Sequence, residues 1–365
     1  VVIKILNFFK EFGTLKDVLV GVLCMGITKH VRCLVVGLGR IGRVHAENLK
    51  YRVKGAELVA VVDVVEDIAR SVGEALNVKW YTDYVKALDV ETPDAVVIAT
   101  PTYLHKEEII EAAKRGIHVF TEKPLAPNLS DAIDIYNVVK KSGIKLQVGF
   151  QRRFDPVYQR AKKFIDDGVI GRPIAFVAIV RDPQPPPSWA RDPKLSGGMF
   201  ADQLSHDFDI ARYLLNDEIT EVYVVGDSYM YEDMKTLGDP DAAAIIFRTS
   251  RGLHGIIHAT RRFPYGYELR NEVYGTEGVI YIGTNKDENF AYGVKQGLIY
   301  LGAPFFEKRW ADAYLEEMKA FIQSIQTNTE PKITVLEGLR AAQIADACWK
   351  SYREGKPAKV PLEIP

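Results

Sequence analysis

Cysteine is scarce: Cys24, Cys33 and Cys348 are the only ones in 365 residues, and no Cys-x-x-Cys spacing links them. That scarcity excludes a disulfide framework and a cysteine-built zinc site, and it fits a reducing compartment. A cytoplasmic protein is expected. Net charge is equally spare. The 47 Lys and Arg against 48 Asp and Glu leave a formal −1, and no basic run concentrates positive charge locally. Nucleic acid is therefore not expected as a partner. Long apolar runs are missing too. Val18 to Ile27 has the length of a signal-peptide core, but only Lys16, beside Asp17, charges its upstream side. No small-x-small cleavage site follows, and the run is too short to span a bilayer. Residues 1–30 read as an extension of unknown role, or as sequence ahead of a start near Met25, and no membrane partner is expected. No internal repeat is visible.

What is present begins at Val31. Val31 to Val36 is a continuous apolar, β-branched strand suited to burial on both faces of a parallel sheet. Gly37-Leu38-Gly39-Arg40-Ile41-Gly42 follows at once and opens a helix. The first glycine permits a tight turn, the second lets backbone approach a pyrophosphate, and the third lets helix and strand pack closely. The next strand, Glu57 to Val62, ends in Asp63, about twenty residues past the last glycine, where a ribose-binding acid belongs. Its carboxylate would repel a 2′-phosphate, and Val64 and Val65 offer no cation, so NAD is expected over NADP.

Strand and helix keep alternating through Phe150. Asp94 to Ala99 ends in Thr100-Pro101-Thr102-Tyr103-Leu104-His105. Ile117 to Phe120 ends in Thr121-Glu122-Lys123-Pro124, followed by a helix expected to open at Ser130, and then by a strand from Lys145 to Val148. Strict alternation means an α/β Rossmann fold with a doubly wound parallel sheet, whose ligands sit at the carboxyl edge of the strands. Lys123 and the glycine turn share that edge. Beyond Phe150 the segments Ile174 to Val180, Glu221 to Val225, Ala243 to Arg248, Leu253 to Ala259, Glu272 to Tyr274 and Val279 to Ile282 read as strands joined by turns. This is an α+β second domain with a large, mostly antiparallel sheet, one face of which is open to self-association. Two helices close the chain, the last started by a Thr334/Glu337 capping box and ended by Gly355. The expected division is an extension at 1–30, an NAD-binding domain at 31–150 and a substrate and oligomerisation domain at 151–365. The C-terminal helix is expected to pack back towards the first domain.

One segment of the second half carries chemistry. After Gly197-Gly198, a helix running from Met199 sets Asp202 and His206 four apart on one face. A carboxylate orienting an imidazole is what general-base chemistry requires. The same pair also fits a structural contact, and Asp209 on the same face extends it towards a metal site. Helical metal signatures usually carry paired histidines, and no metal is expected.

Taken in order, Gly-x-Gly-x-x-Gly, Glu-Lys-Pro after the fifth strand, and Gly-Gly…Asp-x-x-x-His resemble the glucose-fructose oxidoreductase/inositol dehydrogenase/MocA superfamily over Arg32 to Gly355. Gly149 to Pro156, the proline loop Arg181 to Pro187, and Tyr265 to Val273 are similar to its inositol dehydrogenase branch, with departures at Gln151, Met199 and Glu268-Leu269. The resemblance implies an NAD-dependent oxidation of a ring secondary alcohol of a cyclic polyol, foremost myo-inositol to the 2-keto inositol. Another inositol isomer or an aldose is the alternative, and a non-enzymatic dinucleotide sensor the rival from another class. It implies that Lys123, Asp202 and His206 carry catalysis. It further implies that Gly37, Gly39, Arg40, Ile41, Gly42, Asp63, Thr100, Pro101, His105, Glu122 and Lys123 line the cofactor, and that the chain assembles as a homotetramer or homodimer. Arg153, Asp182, Tyr265 and Tyr267 are candidates for the remaining ring hydroxyls, because a polyol site needs many polar partners. Arg152 and Arg153 read equally well as solvated charges.

Overall fold

The computed structural model describes residues 30–263, 266–283, 291–294, 297–300 and 306–364. The predicted extension, except for His30, lies outside them, as does Tyr265.

The first sheet holds β1 (Val31–Val36), β2 (Ala56–Val62), β3 (Lys79–Tyr81), β4 (Ala95–Ile98), β5 (His118–Glu122) and β6 (Leu146–Gly149). Its order is β3-β2-β1-β4-β5-β6, parallel throughout, with the reversal of order between β1 and β4. The helices between these strands are α1 (Arg40–Tyr51), α2 (Glu66–Leu76), α3 (Tyr84–Glu91), α4 (His105–Lys114) and α5 (Leu129–Ser142). β5 runs two residues further than its apolar run, so Thr121 and Glu122 are paired sheet residues, and Lys123 is the first residue past the edge. α5 opens one residue earlier than expected. Asn128, in extended conformation, caps it by accepting from the Asp131 N–H at 2.9 Å, so Ser130 already lies within the helix.

The second domain contributes α6 (Pro156–Asp166), β7 (Pro173–Arg181), α7 (Ser205–Leu215), β8 (Ile219–Asp227), α8 (Glu232–Leu237), β9 (Ala242–Thr249), β10 (His254–Thr260), β11 (Glu268–Gly275) and β12 (Val279–Ile282). A hairpin follows, β13 (Ala291–Val294) and β14 (Gly297–Tyr300), then α9 (Phe306–Gln326), α10 (Val335–Glu354) and β15 (Ala358–Lys359). The large sheet has the order β12-β11-β7-β10-β9-β8-β15. It is antiparallel except at its centre, where β7 and β10 pair in parallel.

The two closing helices bind the sheets together. Trp310, Ala313 and Tyr314 of α9 pack in the second-domain core, while Leu315, Met318, Phe321 and Ile322 pack against one face of the first sheet. α10 divides the same way: Leu339, Ala341 and Ala342 cover the other face of the first sheet, and Ile344, Ala345 and Cys348 sit in the second core. Burying each large apolar side chain stabilises the fold by roughly 1.5–3 kcal/mol. A methyl at Gly338 would meet Leu125 at 2.9 Å and Val148 at 3.1 Å, so α10 lies directly on the Lys123–Pro124 loop. The capping box is present, with Leu336 N donating to Thr334 Oγ1 at 3.2 Å and Thr334 N to Glu337 at 2.7 Å. Among the described residues no helix is long and apolar enough to cross a membrane.

Candidate active site

The glycine turn shows what its sequence requires. Gly37 has φ +82°, and a Cβ there would meet the Ala99 carbonyl and the Thr100 nitrogen at 2.6 Å. A Cβ at Gly42 would stand 1.8 Å from the Gly37 oxygen, which is why helix and turn approach so closely. A Cβ added at Gly39 would meet nothing within 4 Å. As N-cap of α1 it gives no side-chain cap, and no acid occupies the first turn. Open space before uncapped N–H groups suits a pyrophosphate. Asp63 stands beside the turn and accepts from Leu38 N and Val65 N, each at 2.9 Å. These residues fit an NAD cofactor.

Arg40 is exposed at the first position of α1, and Ile41 packs on the second-domain core. Thr100 donates to Glu108 at 2.6 Å, and Pro101 opens the turn into α4. His105 is fully buried, with its ring nitrogens 3.0 Å from the carbonyl oxygens of Pro124 and Thr100. Both oxygens are acceptors and a neutral ring carries one N–H, so His105 donates to only one of the two loops at a time.

Lys123 crosses between the domains. Its Nζ donates to the Asp202 carbonyl oxygen at 2.6 Å and stands 3.7 Å from Asp202 Oδ1. The peptide bond to Pro124 is cis. Opposite it, Gly197 and Gly198 have φ of +82° and +66°, and the chain then winds as a π-helical turn over Met199–Gln203. A methyl on Gly198 would meet Asp239 and Trp349 at 2.5 Å, so glycine is required there. The π turn changes the expected pairing. Four-residue stacking belongs to α-helical winding, and here the Asp202 carboxylate turns to Lys123 and to Arg261 Nη1, 3.1 Å away. Asp202 makes no hydrogen bond to His206, so the expected Asp202–His206 contact is corrected.

His206 is half-buried, edge-on to Phe150, with Nδ1 buried and without a partner. Nε2 is therefore the nitrogen left to meet a substrate. Burial first, then the charges of Arg152 and Lys123, hold its pKa well below 6.5.

Asp182 faces the same group. Gln203 Nε2 donates to it at 2.7 Å. Burial pushes its pKa up to about 6, against the charges of Arg261 and Lys123. Tyr267 lies close to the charges of Arg152 and Asp182, and its hydroxyl accepts from Trp310 Nε1 at 3.4 Å. Arg153 is placed differently. Its guanidinium is bidentate to Asp209 at 2.6 and 2.8 Å and lies over the Tyr213 ring. The solvated-charge reading of Arg152 and Arg153 fails: Arg152 is 3% exposed and bonds Asp207 at 2.8 Å. Asp209 is spent on Arg153 and extends no site with His206.

Three residues were not singled out in the sequence. Arg261, 1% exposed, sits between Asp202 and Asp239, the latter 3.6 Å away. Asp239 fixes the π turn by accepting from Met199 N at 2.8 Å. Gln203 ties the turn to Asp182 and to the Thr260 carbonyl. The doubled positive-φ glycines ahead of the turn were the one local signal.

A polar cluster of lysine, imidazole and carboxylates thus lies where the second domain meets the carboxyl edge of a dinucleotide-binding sheet. Comparison with known proteins agrees. Residues 31–150 match the model of an oxidoreductase family with an NAD-binding Rossmann fold, and residues 158–281 match the GFO/IDH/MocA C-terminal domain. The chain is 39% identical to scyllo-inositol 2-dehydrogenase (NAD(+)) of Bacillus subtilis, over 91% of this chain and 97% of that protein. It is 37% identical to myo-inositol 2-dehydrogenase of Thermotoga maritima, over 90% and 98%. The crystal structure of scyllo-inositol dehydrogenase from Lactobacillus casei with bound NAD(H) and scyllo-inositol superposes with a TM-score of 0.84 at 28% identity, covering 91% of this chain and 99% of that one. Both halves of the chain match one family over most of their length, and the chain belongs to the GFO/IDH/MocA oxidoreductase family.

Proposed function

We propose that this protein is an NAD-dependent inositol dehydrogenase that oxidises one ring carbinol of myo- or scyllo-inositol to the ketone. The observation that carries the reading is Lys123 held against Asp202 at the domain junction, with His206 beside it, in a chain so similar to enzymes of that name. The nicotinamide, when bound, supplies the hydride acceptor. Gly37, Gly39 and the first turn of α1 would hold its pyrophosphate, and Asp63 its ribose. The protein's own part is to orient the alcohol and take its proton. Lys123 keeps positive charge beside the reacting oxygen, which favours its ionisation. His206 takes the hydroxyl proton at Nε2, which requires its resting proton on Nδ1. Asp202 holds Lys123 rather than the imidazole. Asp182 and Tyr267 receive the other ring hydroxyls. Arg153, engaged by Asp209, contributes by supporting α7, which carries His206.

Turnover of a panel of inositol isomers and aldoses, run with NAD and with NADP, tests the reading. We expect turnover on an inositol, and NAD favoured at least about tenfold in kcat/KM because Asp63 repels a 2′-phosphate. Activity on sugars alone, or parity between cofactors, would contradict it.

The pH dependence should split. His206 stays neutral well below its ordinary 6.5, so kcat in alcohol oxidation should stay level as pH falls through that value. Asp182 gains a proton on falling through about 6, loses its charge towards the hydroxyls, and KM should rise several-fold there. A fall in kcat centred on 6.5 would contradict the depressed pKa of His206.

A second copy of the chain is the occupant we assign to the open sheet face. Ile246, Ile256 and Val225 are 52%, 43% and 57% exposed on neighbouring strands, and Ile246 and Ile256 are register partners. A homotetramer or homodimer follows, and sedimentation as a monomer would overturn it.

A further inference from the structure

A closed ring of hydrogen bonds joins the π turn to a carboxylate of the site. Gln203, the last residue of that turn and 7% exposed, donates from Nε2 to Asp182 Oδ2 at 2.7 Å and to the Thr260 carbonyl oxygen at 3.0 Å. The same carbonyl accepts from Asp182 N at 3.1 Å. Asp182 is thus held twice, by its main chain on the end of β10 and by its side chain on the π turn. Among the described residues Gln203 is the only hydrogen-bond donor to that carboxylate.

Both partners of Nε2 are acceptors: a carbonyl oxygen and, near neutral pH, an ionised carboxylate. Each takes one of its two protons, which fixes the orientation of the amide. A glutamate here would set oxygen against two oxygens, and an apolar side chain would leave the carboxylate without its donor. The preceding residue, Asp202, gives its carbonyl oxygen to Lys123 Nζ and its carboxylate to Arg261. Consecutive residues of one turn therefore hold the lysine assigned to the reacting oxygen and the carboxylate assigned to another ring hydroxyl. The groups that face Asp182 are Arg261, just past β10; Asp202; Lys123, past β5; and Tyr267, just before β11.

We propose that Gln203 is a positioning residue that aims the Asp182 carboxylate at a ring hydroxyl, so that the π turn sets the spacing between that carboxylate and Lys123. This role rests on the dehydrogenase reading and adds to it a determinant of substrate binding. The bond from Gln203 also favours the charged carboxylate, against the burial that pushes Asp182 up to about 6. Without that bond Asp182 takes up its proton at a higher pH.

The test compares wild type with Gln203→Met, with Gln203→Glu, which has the same shape, and with Asp182→Asn alone and combined with Gln203→Met, all in the full chain. Near neutral pH Gln203→Met should raise KM for inositol about tenfold with kcat within about threefold, and its further rise in KM on acidification should begin at a higher pH than in wild type. Added to Asp182→Asn, Gln203→Met should change KM by less than about twofold, because the carboxylate it positions is already gone. In Gln203→Glu, KM should instead fall as pH is lowered from 8 to 6, as the two carboxylates take up a shared proton. Wild-type KM in Gln203→Met, an equal rise in the Asp182→Asn background, or the wild-type pH slope in Gln203→Glu would each overturn the role. Melting needs no substrate: between pH 6 and 8 the deficit of Gln203→Met against wild type should widen by about 1–3 °C, since its fold keeps a proton that the unfolded chain has released. A deficit independent of pH would overturn the tie to the Asp182 charge. Absence of inositol turnover in the wild type would sink the dehydrogenase reading, while melting still reads the tie.

Discussion

Lys123→Ala should lose turnover by about three orders of magnitude or more while still binding NAD. The side chain reaches from the end of β5 to the Asp202 carbonyl, so its removal takes away both the charge beside the reacting oxygen and a tie between the domains. The glycine turn and Asp63 do not touch it, and cofactor affinity, read by fluorescence titration, should change by less than about tenfold. Lys123→Arg should not rescue, because a planar fork cannot occupy the place of a compact ammonium. Wild-type kcat in Lys123→Ala would remove the residue from the mechanism.

Arg261→Leu should be the most damaging change outside the reacting group. Its guanidinium is buried between Asp202 and Asp239, with Asp182 also within its field. Removing one partner of a buried ion network leaves uncompensated charge and costs roughly 3–5 kcal/mol, seen as a lower urea midpoint. Arg261→Lys keeps the charge but not the fork, and should fold with a clearly lowered kcat, since Asp202 loses the partner that turns it towards Lys123. A variant with wild-type stability and turnover would show that Arg261 is not the hub of this network.

Much of the first domain was legible because burial on both faces leaves no ambiguity. Val31–Val36 and Ala95–Ile98 are nearly unbroken apolar strands, and the glycine turn has few backbone solutions. β3 was missed: Lys-Trp-Tyr is short, half-exposed and without alternation. In the second domain β7 to β12 were legible, but β13 to β15 and the strand order were not, since turns reveal only neighbours, whereas β7 and β10 pair in parallel across the centre. At the site, motifs named candidate residues, but neither their geometry nor Arg261, Asp239 and Gln203 could be read. The Asp202–His206 spacing implied contact only for α-helical winding, and a π turn intervened. The contacts that decide the site are remote in sequence: Lys123 to Asp202 spans 79 residues, and Arg152 to Asp207 spans 55. No local pattern distinguishes a solvated arginine from one buried on such a partner.

The most direct test of the account follows the hydrogen itself. The protein is incubated with NAD and inositol carrying deuterium on every ring carbon, and the reduced cofactor is analysed by mass spectrometry. The account predicts one deuterium in each reduced nicotinamide, with a ketone formed in equal amount. Reduced cofactor without deuterium, or no reduction on any inositol isomer, would contradict hydride transfer from a ring carbinol.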